Sequence, residues 1–415
     1  MSVIEAIQKT DENKYSIVIL DSFGFPYGMA STQRVGLILR ALVENGKNVI
    51  VLCVRAQDRQ PNVENQEISG VFHGINFEYT PGTTVRSRSF WKRRYYDIKG
   101  ILIALFRLIQ YSRKGEIGCI YYYGNILSNS LNRWIFYGIA KILQVPLIIE
   151  MCERPWVMAK KNAFNSLFDP LLTVDGVIVI SSYLDEWLIQ EKKNKNRNFR
   201  KLKLPILMDL NESVSSSSAA KEFPKNVLYA GSPNYQESME FILDSMNIVW
   251  EKYPDCKLTV TGYREGEVGA LWLQDQVKLR NIEDKIFSTG YLQRSVLFEY
   301  YQKATALLIP LFDDVRSKAR FPTKIGEYLN SGNPIVTNNV GEIPNYFMDG
   351  INAYVCDPGD PYQYAQKIIE AISPQNVQHA NEVGNYGKKL AEKCFYYKRH
   401  ENSIVEFFSS FYCAD

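Results

Sequence analysis

Between Phe321 and Val336 the chain sets Pro322, Thr323, Lys324, Glu327, Gly332 and Pro334 at spacings that combine a helix start with two opposite charges. The pattern predicts that Pro322 opens a helix, Gly332 closes it and Pro334 leads into a short apolar strand. A helix N-terminus presents free backbone N–H groups and the positive end of the peptide dipole, so it favours an anion. Lys324 adds a full positive charge to that first turn, and Glu327 stands three residues on along the same face. A cation beside a carboxylate suits a ligand that is part phosphate and part sugar hydroxyl, because a carboxylate accepts two hydrogen bonds from a vicinal diol. Read without its neighbours, the same pair is an ordinary ion pair on a helix surface.

Such a segment needs a scaffold, and the rest of the chain supplies the pattern of one. Tyr15 to Asp21 reads as a strand, Ser22 to Ser31 as a loop containing Gly24, Pro26 and Gly28, and Val35, Ile38, Leu39, Leu42 and Val43 stripe a helix that stops at Gly46. The β-branched run Val49 to Val54 completes a βαβ start. Further strands are expected at Ile117 to Tyr123, Pro146 to Glu150 and Gly176 to Ser181. The Ser-rich stretch 211–226 has a linker's composition. After it the α/β pattern restarts with strands at Val227 to Ala230, Leu258 to Thr261, Ile286 to Thr289, Ala306 to Ile309 and Ile335 to Thr337, and with a helix capped by Asp360 and opened by Pro361. The expected organisation is a first α/β domain over 1–210, a linker over 211–226, a second α/β domain over 227–383 and a helical segment over 384–415.

With 415 residues, 46% of them apolar and 22% charged, the chain has the size and composition of a two-domain globular protein. A net charge of +3 does not suit a protein that lives on nucleic-acid phosphates, so no nucleic-acid partner is expected. Seven isolated cysteines without C-x-x-C spacing read as free thiols in a reducing, cytoplasmic setting. His73, His379 and His400 stand far apart without carboxylate or cysteine neighbours, so no metal site is expected. No apolar run reads as a signal peptide or a membrane-spanning helix.

The segment Pro322-Thr323-Lys324 … Glu327-Tyr328 … Gly332 … Pro334 … Val336 resembles the donor-site segment of GT-B glycosyltransferases, in particular the retaining glycosyltransferase family four. The resemblance runs over most of the chain and is densest from Lys257 to Ile372. It implies two Rossmann-like domains, a nucleotide-sugar donor held by the second domain, an acceptor held by the first, and a C-terminal helix that crosses back to the first domain. By the same comparison Glu327 holds the ribose hydroxyls, Lys324 the phosphates, and Phe321, Pro322 and Thr323 offer backbone groups. Tyr291 and Leu292 contact the base, Gly231 and Ser232 form the first loop of the second domain, and Gly28 belongs to a glycine loop facing the donor phosphates. No cofactor is implied beyond the nucleotide-sugar substrate, whether a UDP- or a GDP-sugar.

Four positions depart from that pattern. The family's first donor-site glutamate is replaced by Ala319, the cations usual after the glycine of the first strand are replaced by Ser232 and Glu237, and the histidine usual near the reacting sugar is absent. Loss of a preorganised charge at a leaving group typically costs about 3 kcal/mol of barrier. Arg320, Lys324 or Arg264 is therefore expected to neutralise the diphosphate, and Glu153 is the candidate to orient an acceptor hydroxyl. Ordinary surface roles suit Arg320 and Glu153 equally well.

Between Val85 and Lys114 stand nine Lys or Arg and a single acid, Asp97. Arg86, Arg88, Trp91, Lys92, Arg93 and Arg94 precede an apolar stripe of Ile98, Ile101, Leu102 and Leu105. Basic residues interleaved with aromatics suit an anionic membrane surface, while the stripe suits equally a helix buried on its own sheet. The expected activity is transfer of a sugar, with retention, from a nucleotide-sugar to a glycan or lipid-linked acceptor in bacterial surface polysaccharide synthesis, at the cytoplasmic face of the membrane. The alternatives are a non-catalytic GT-B-like subunit that binds a nucleotide-sugar or a partner, and an epimerase on the same fold, which would need cleft histidines that the motif regions lack.

Overall fold

A computed structural model describes residues 14–60, 63–124, 130–153, 174–195, 198–212 and 225–412. The chain forms two compact units, Met1–Leu207 with Tyr397–Asp415, and Met208–Tyr396. The boundary expected at 383/384 falls inside one continuous helix, Val377–Cys394, that belongs to the second unit. The chain leaves that unit only after Tyr396. Most of the expected linker lies outside the described residues.

In the first unit the β-branched runs become inner strands of a parallel sheet: β1 (Tyr15–Asp21), β2 (Asn48–Cys53), β5 (Ile117–Gly124), β6 (Leu147–Met151) and β7 (Gly176–Val179). Nearly every residue in them is buried, as a sheet covered on both faces requires. The hairpin β3 (Ser69–Phe72) and β4 (Ile75–Tyr79) extends one edge and β8 (Arg200–Lys203) the other, in the order β3-β4-β2-β1-β5-β6-β7-β8. His73 and Gly74, both at positive φ (48° and 78°), make the two-residue turn whose twist suits a hairpin. The sequence pattern missed β8 because Arg-Lys-Leu-Lys reads as a charge run, although a charged edge strand is how a sheet avoids pairing with another chain.

Helix α1 (Ala30–Glu44) buries Val35, Ile38, Leu39 and Leu42, as its period predicts. The helices α2 (Phe90–Arg113), α3 (Ser130–Ile142) and α4 (Ser182–Lys195) follow. A last helix of the chain, Glu401–Ser409, packs in this unit through Ile404, Phe407 and Phe408. A Cβ at Gly118 would lie 2.4 Å from the Tyr412 ring, so only glycine lets that ring lie against β5.

The second unit carries a six-stranded parallel sheet of β9 (Asn226–Ala230), β10 (Lys257–Thr261), β11 (Ile286–Gly290), β12 (Ala306–Ile309), β13 (Ile335–Asn338) and β14 (Tyr354–Cys356), ordered β11-β10-β9-β12-β13-β14. Its helices are α5 (Gln236–Lys252), α6 (Val268–Leu279), α7 (Arg294–Lys303), α8 (Val315–Ala319), α9 (Lys324–Ser331), α10 (Ile343–Tyr346), α11 (Pro361–Ile372) and α12 (Val377–Cys394). Asp360 caps α11 through its carboxylate and the Tyr362 N–H (2.9 Å), as expected. Val227, Ile242, Met246, Leu258, Val260, Leu308, Val336 and Tyr364 meet in one core between sheet and helices. Burial of each such aliphatic side chain contributes about 1.5–3 kcal/mol. Chain order reverses between β9 and β12, and the carboxyl ends of strands at such a reversal are where open α/β sheets bind their ligands.

Candidate functional site

That reversal point is where α9 begins. The helix starts at Lys324 rather than at Pro322, with Thr323 in the N-cap position, and ends at Gly332 in the left-handed region (φ 76°). Pro322 lies in the tight turn that precedes it, where its carbonyl accepts from Ile325 N–H (3.0 Å). Phe321 is buried, stacked on Tyr346 with centroids 5.4 Å apart and edge-on to Phe395. Its ring anchors the turn in the core, so the side chain itself is not available to a ligand.

Lys324 and Tyr328, one turn apart, grip the two backbone polar groups of the same residue, Ala230. The Lys324 ammonium donates to the Ala230 carbonyl, and the Ala230 N–H donates to the Tyr328 hydroxyl oxygen (2.8 Å). The helix is thereby pinned to the end of β9, immediately before Gly231 and Ser232. Burial lowers the Lys324 pKa below its ordinary value, with the nearby Glu327 carboxylate opposing the shift. A partly desolvated ammonium beside the peptide of Ala230 is a strong binding partner for an incoming anion.

Glu327 does not pair with Lys324 by hydrogen bond. Its Oε1 accepts from Arg294 Nη1 (2.9 Å) and its Oε2 from the Tyr301 hydroxyl (3.2 Å). Burial, together with Glu327, pushes the Tyr301 hydroxyl well above its ordinary pKa, so it stays a donor. A carboxylate offers about four acceptor sites, which leaves room for a diol on the two it has not used. Arg294 and Tyr301 were missed in the sequence because they reach Glu327 from a different helix, α7.

Three glycines end the neighbouring strands. Gly231 N–H donates to the Thr261 carbonyl and Gly262 N–H to the Gly290 carbonyl, each at 2.9 Å. A Cβ at Gly262, whose φ is +96°, would stand 3.8 Å from the Lys324 ammonium. Tyr291 and Leu292, both half-buried, follow Gly290 at the end of the outermost strand, with the Arg264 guanidinium 5.4 Å from the Tyr291 ring centre. Two strand spacings of about 4.8 Å separate β11 from β9. Tyr291 therefore sits about 10 Å from Gly231. Ser232 turns its hydroxyl back to Asn234 N–H (3.3 Å), and Asn234 in turn accepts from Gly269 N–H (2.8 Å) at the start of α6. Arg320 ends α8, half-buried, four residues before Lys324. Ala319 is fully buried, so no carboxylate is presented at that position.

In the first unit the loop carrying Gly28 is pinned from two directions. Asn65 accepts from Tyr27 N–H (2.9 Å) and donates to the Tyr27 carbonyl (3.0 Å), and the Tyr79 hydroxyl accepts from Phe25 N–H (2.9 Å). A Cβ on Gly28 would meet the Thr32 hydroxyl at 2.3 Å, so the loop folds tightly onto the start of α1. Glu153 lies exposed just beyond β6, while Arg154 lies outside the described residues. The buried carboxylate of that strand is Glu150. It pairs with Arg34, accepts from the Tyr121 hydroxyl (2.5 Å), and Arg34 also donates to the Leu204 carbonyl (2.8 Å). Burial opposes the charge on Arg34, yet Glu150 holds its pKa above the ordinary value. This buried pair fixes loop 204–205 to α1, a structural role that the sequence motif at Glu150 to Pro155 did not reveal.

Among the described residues no group of three or more His, Cys, Asp or Glu is placed to hold a metal ion, and no helix is long and apolar enough to cross a membrane. The described cysteines are all free, with Cys152 and Cys394 half-buried rather than buried.

Residues 224–373 match the family model for Glycosyl transferases group 1. Spore coat protein SA of Bacillus subtilis (strain 168) is 23% identical over 189 residues, 44% of this chain and 48% of the relative. The match thus spans about half the length of that relative. Sucrose-phosphate synthase from Thermosynechococcus elongatus superposes with a TM-score of 0.74 at 14% identity, over 97% of this chain and 100% of the other. The Anabaena protein HepE in complex with UDP and glucose superposes with a TM-score of 0.66 at 15% identity, over 95% and 99%. The fold is GT-B, two α/β units each built on a largely parallel sheet.

Proposed function

We propose that the protein is a glycosyltransferase that takes a sugar from a nucleotide-sugar and passes it, with retention at the anomeric carbon, to a glycan or lipid-linked acceptor of bacterial surface polysaccharide synthesis. The observation that carries the reading is the meeting of Lys324, Glu327 and the glycine-ended strands at the reversal point of the second sheet. In this reading the ribose hydroxyls take the open acceptor sites of Glu327, the base lies along Tyr291 and Leu292, and the diphosphate meets Lys324 and the Gly231–Ser232 loop. The match of residues 224–373 to the group 1 family model covers all of these positions and supports the assignment. UDP bound to a neighbour of the same fold favours a uridine nucleotide as the first to try.

As the bond to the diphosphate breaks, negative charge grows on the leaving oxygens. Lys324, assisted by Arg320, meets that charge, and a departing phosphate oxygen takes the acceptor's proton on the same face, so no protein base is required. Buried Ala319 favours a second reading in one respect, a binding subunit without turnover, because the carboxylate that would grip the sugar is missing. Calorimetry with UDP- and GDP-sugars, followed by an assay for released nucleoside diphosphate with and without cell-extract acceptors, decides between them. Binding with release supports transfer, binding without release on any extract supports the subunit, and no binding at all removes both.

A further inference from the structure

Helix α2 is held to the first unit by a narrow buried strip, two of whose three residues are small, and turns a row of large apolar residues outward. Gly100, Ala104 and Leu108 are its buried residues. A Cβ on Gly100 would lie 2.2 Å from the Val54 carbonyl oxygen, and the Thr80 hydroxyl donates to the Gly100 carbonyl (2.8 Å), so the helix lies flush on the sheet at this point. Arg107 fastens the far end with a two-pronged bond to Glu78 (2.9 and 3.0 Å). Of the expected stripe Ile98, Ile101, Leu102 and Leu105, Ile98 and Leu102 are exposed and Ile101 and Leu105 half-buried, so the stripe is not packed as a whole on the sheet. Gly100 and Ala104 allow the close approach on the inward face, and Ile98 and Leu102 lie on the outer one.

Trp91, Tyr95, Ile98, Leu102 and Phe106 are each between 59% and 78% exposed. Their spacing of four, three, four and four residues puts all five on one side of the helix, within about 80° of arc at 100° per residue. A contiguous apolar strip of this length on a surface marks a contact with something apolar. Lys92 and Lys99 border it on one flank and Arg94 on the other, with exposed Arg88 just before the helix. Arg93 and Arg94 lie over the Phe90 ring (5.7 and 5.3 Å), which holds them beside the strip. Burial and the like charges of Arg93, Arg59 and Arg55 lower the pKa of Arg86, the sign of a surface with more positive charge than its own acids neutralise.

We infer that this outer face of α2 is a docking surface for a lipid bilayer with anionic headgroups: the strip from Trp91 to Phe106 enters the boundary of the acyl chains while Arg88, Lys92, Arg94 and Lys99 meet the headgroup phosphates. Charge complementarity selects that occupant. A second copy of the chain is disfavoured, because α2 carries six Lys or Arg against one acid, Asp97, and pairing two such helices in either direction sets like charges together. A basic flank on each side of an apolar strip is the pattern of a helix lying in the membrane interface, where each charge near an anionic surface contributes about 1 kcal/mol. The inference does not rest on the transfer chemistry.

The test uses the full chain without any nucleotide-sugar. Cosedimentation is measured with vesicles of phosphatidylcholine alone and of phosphatidylcholine with about one third phosphatidylglycerol. Two variants are compared, I98S/L102S/F106S in the strip and R88S/K92S/R94S in the flanks; all six positions are solvent-facing, and circular dichroism verifies the fold. Wild type is expected to bind the anionic vesicles at least about tenfold more tightly than the neutral ones, and each variant to lose at least about tenfold. Emission from Trp91, taken as the difference from W91F, shifts to the blue on binding. Equal sedimentation of wild type and strip variant overturns the proposal. So does a wild-type dimer that the strip variant abolishes without any vesicle binding, or capture of an oligouridylate in place of vesicles.

Discussion

Glu327 is held by two partners from another helix and is the residue proposed to meet the ribose. Its two carboxylate oxygens are oriented by Arg294 and Tyr301, one hydrogen bond to each, and a carboxylate's capacity of about four leaves further acceptor sites. Replacement by alanine is expected to leave the fold intact and weaken nucleotide-sugar binding by about 1.5–3 kcal/mol, the cost of a lost hydrogen bond to a charged group. Calorimetry checks it, and unchanged affinity removes the ribose role. Lys324 carries a pH signature. Its folded pKa is lowered, so below that pKa it is charged, and between that value and the ordinary one the free protein has already released the proton that the unfolded chain retains. Stability therefore rises with pH across this window. A bound diphosphate favours the charged form, so binding takes up a proton there and nucleoside diphosphate affinity should fall as pH rises. Lys324→Arg, whose guanidinium stays charged, is expected to flatten that dependence; an equally steep profile in the variant would place the titrating group elsewhere. Lys324→Met should lower kcat more than it raises KM, because the charge it meets grows in the transition state.

At the scale of elements, glycines decide how closely the helices approach. A Cβ at Gly384 of α12 would lie 2.1 Å from the Gly332 carbonyl that ends α9, so α12 seats the helix carrying Lys324 and Glu327. Gly384→Ala should destabilise the protein by about 1–3 kcal/mol, read as a lower urea midpoint, because the backbone on the other side cannot yield as a side chain would. The strands β9 to β13 were legible in the sequence, since β-branched runs punctuated by Gly and Pro have few other solutions. The position of α9 was legible to within two residues, the difference arising because Pro322 closes a turn before the first helical residue. What one sequence hides is pairing at a distance. Nothing in the spacing links Glu327 to Arg294, Lys324 to Ala230, or Arg34 to Glu150, because each contact depends on which strands become neighbours. The period of α2 was visible too, but not the direction of its stripe; Gly100 and Ala104, small residues one turn apart opposite Trp91 to Phe106, were the available signal.

For the whole molecule, the GT-B fold provides two parallel sheets, each with its reversal point and a glycine-containing loop after its first strand. The residues proposed to hold the donor concentrate in the second unit, within the group 1 family match at residues 224–373. Charge at the leaving group is assigned to Lys324 and Arg320 rather than to a metal, so turnover should persist in EDTA; loss on chelation with recovery on adding magnesium or manganese would reassign that role. The central claim is that the site beyond the carboxyl ends of β9 and β12 binds a nucleotide-sugar and releases its diphosphate. It is tested most directly by incubating the wild-type chain and Lys324→Met with a panel of UDP- and GDP-sugars and an acceptor extract, and measuring nucleoside diphosphate release. The account predicts release from at least one donor by wild type and a drop of about 3 kcal/mol in transition-state stabilisation for the variant. Wild type and variant releasing diphosphate at the same rate, or no donor in the panel being bound at all, would contradict it.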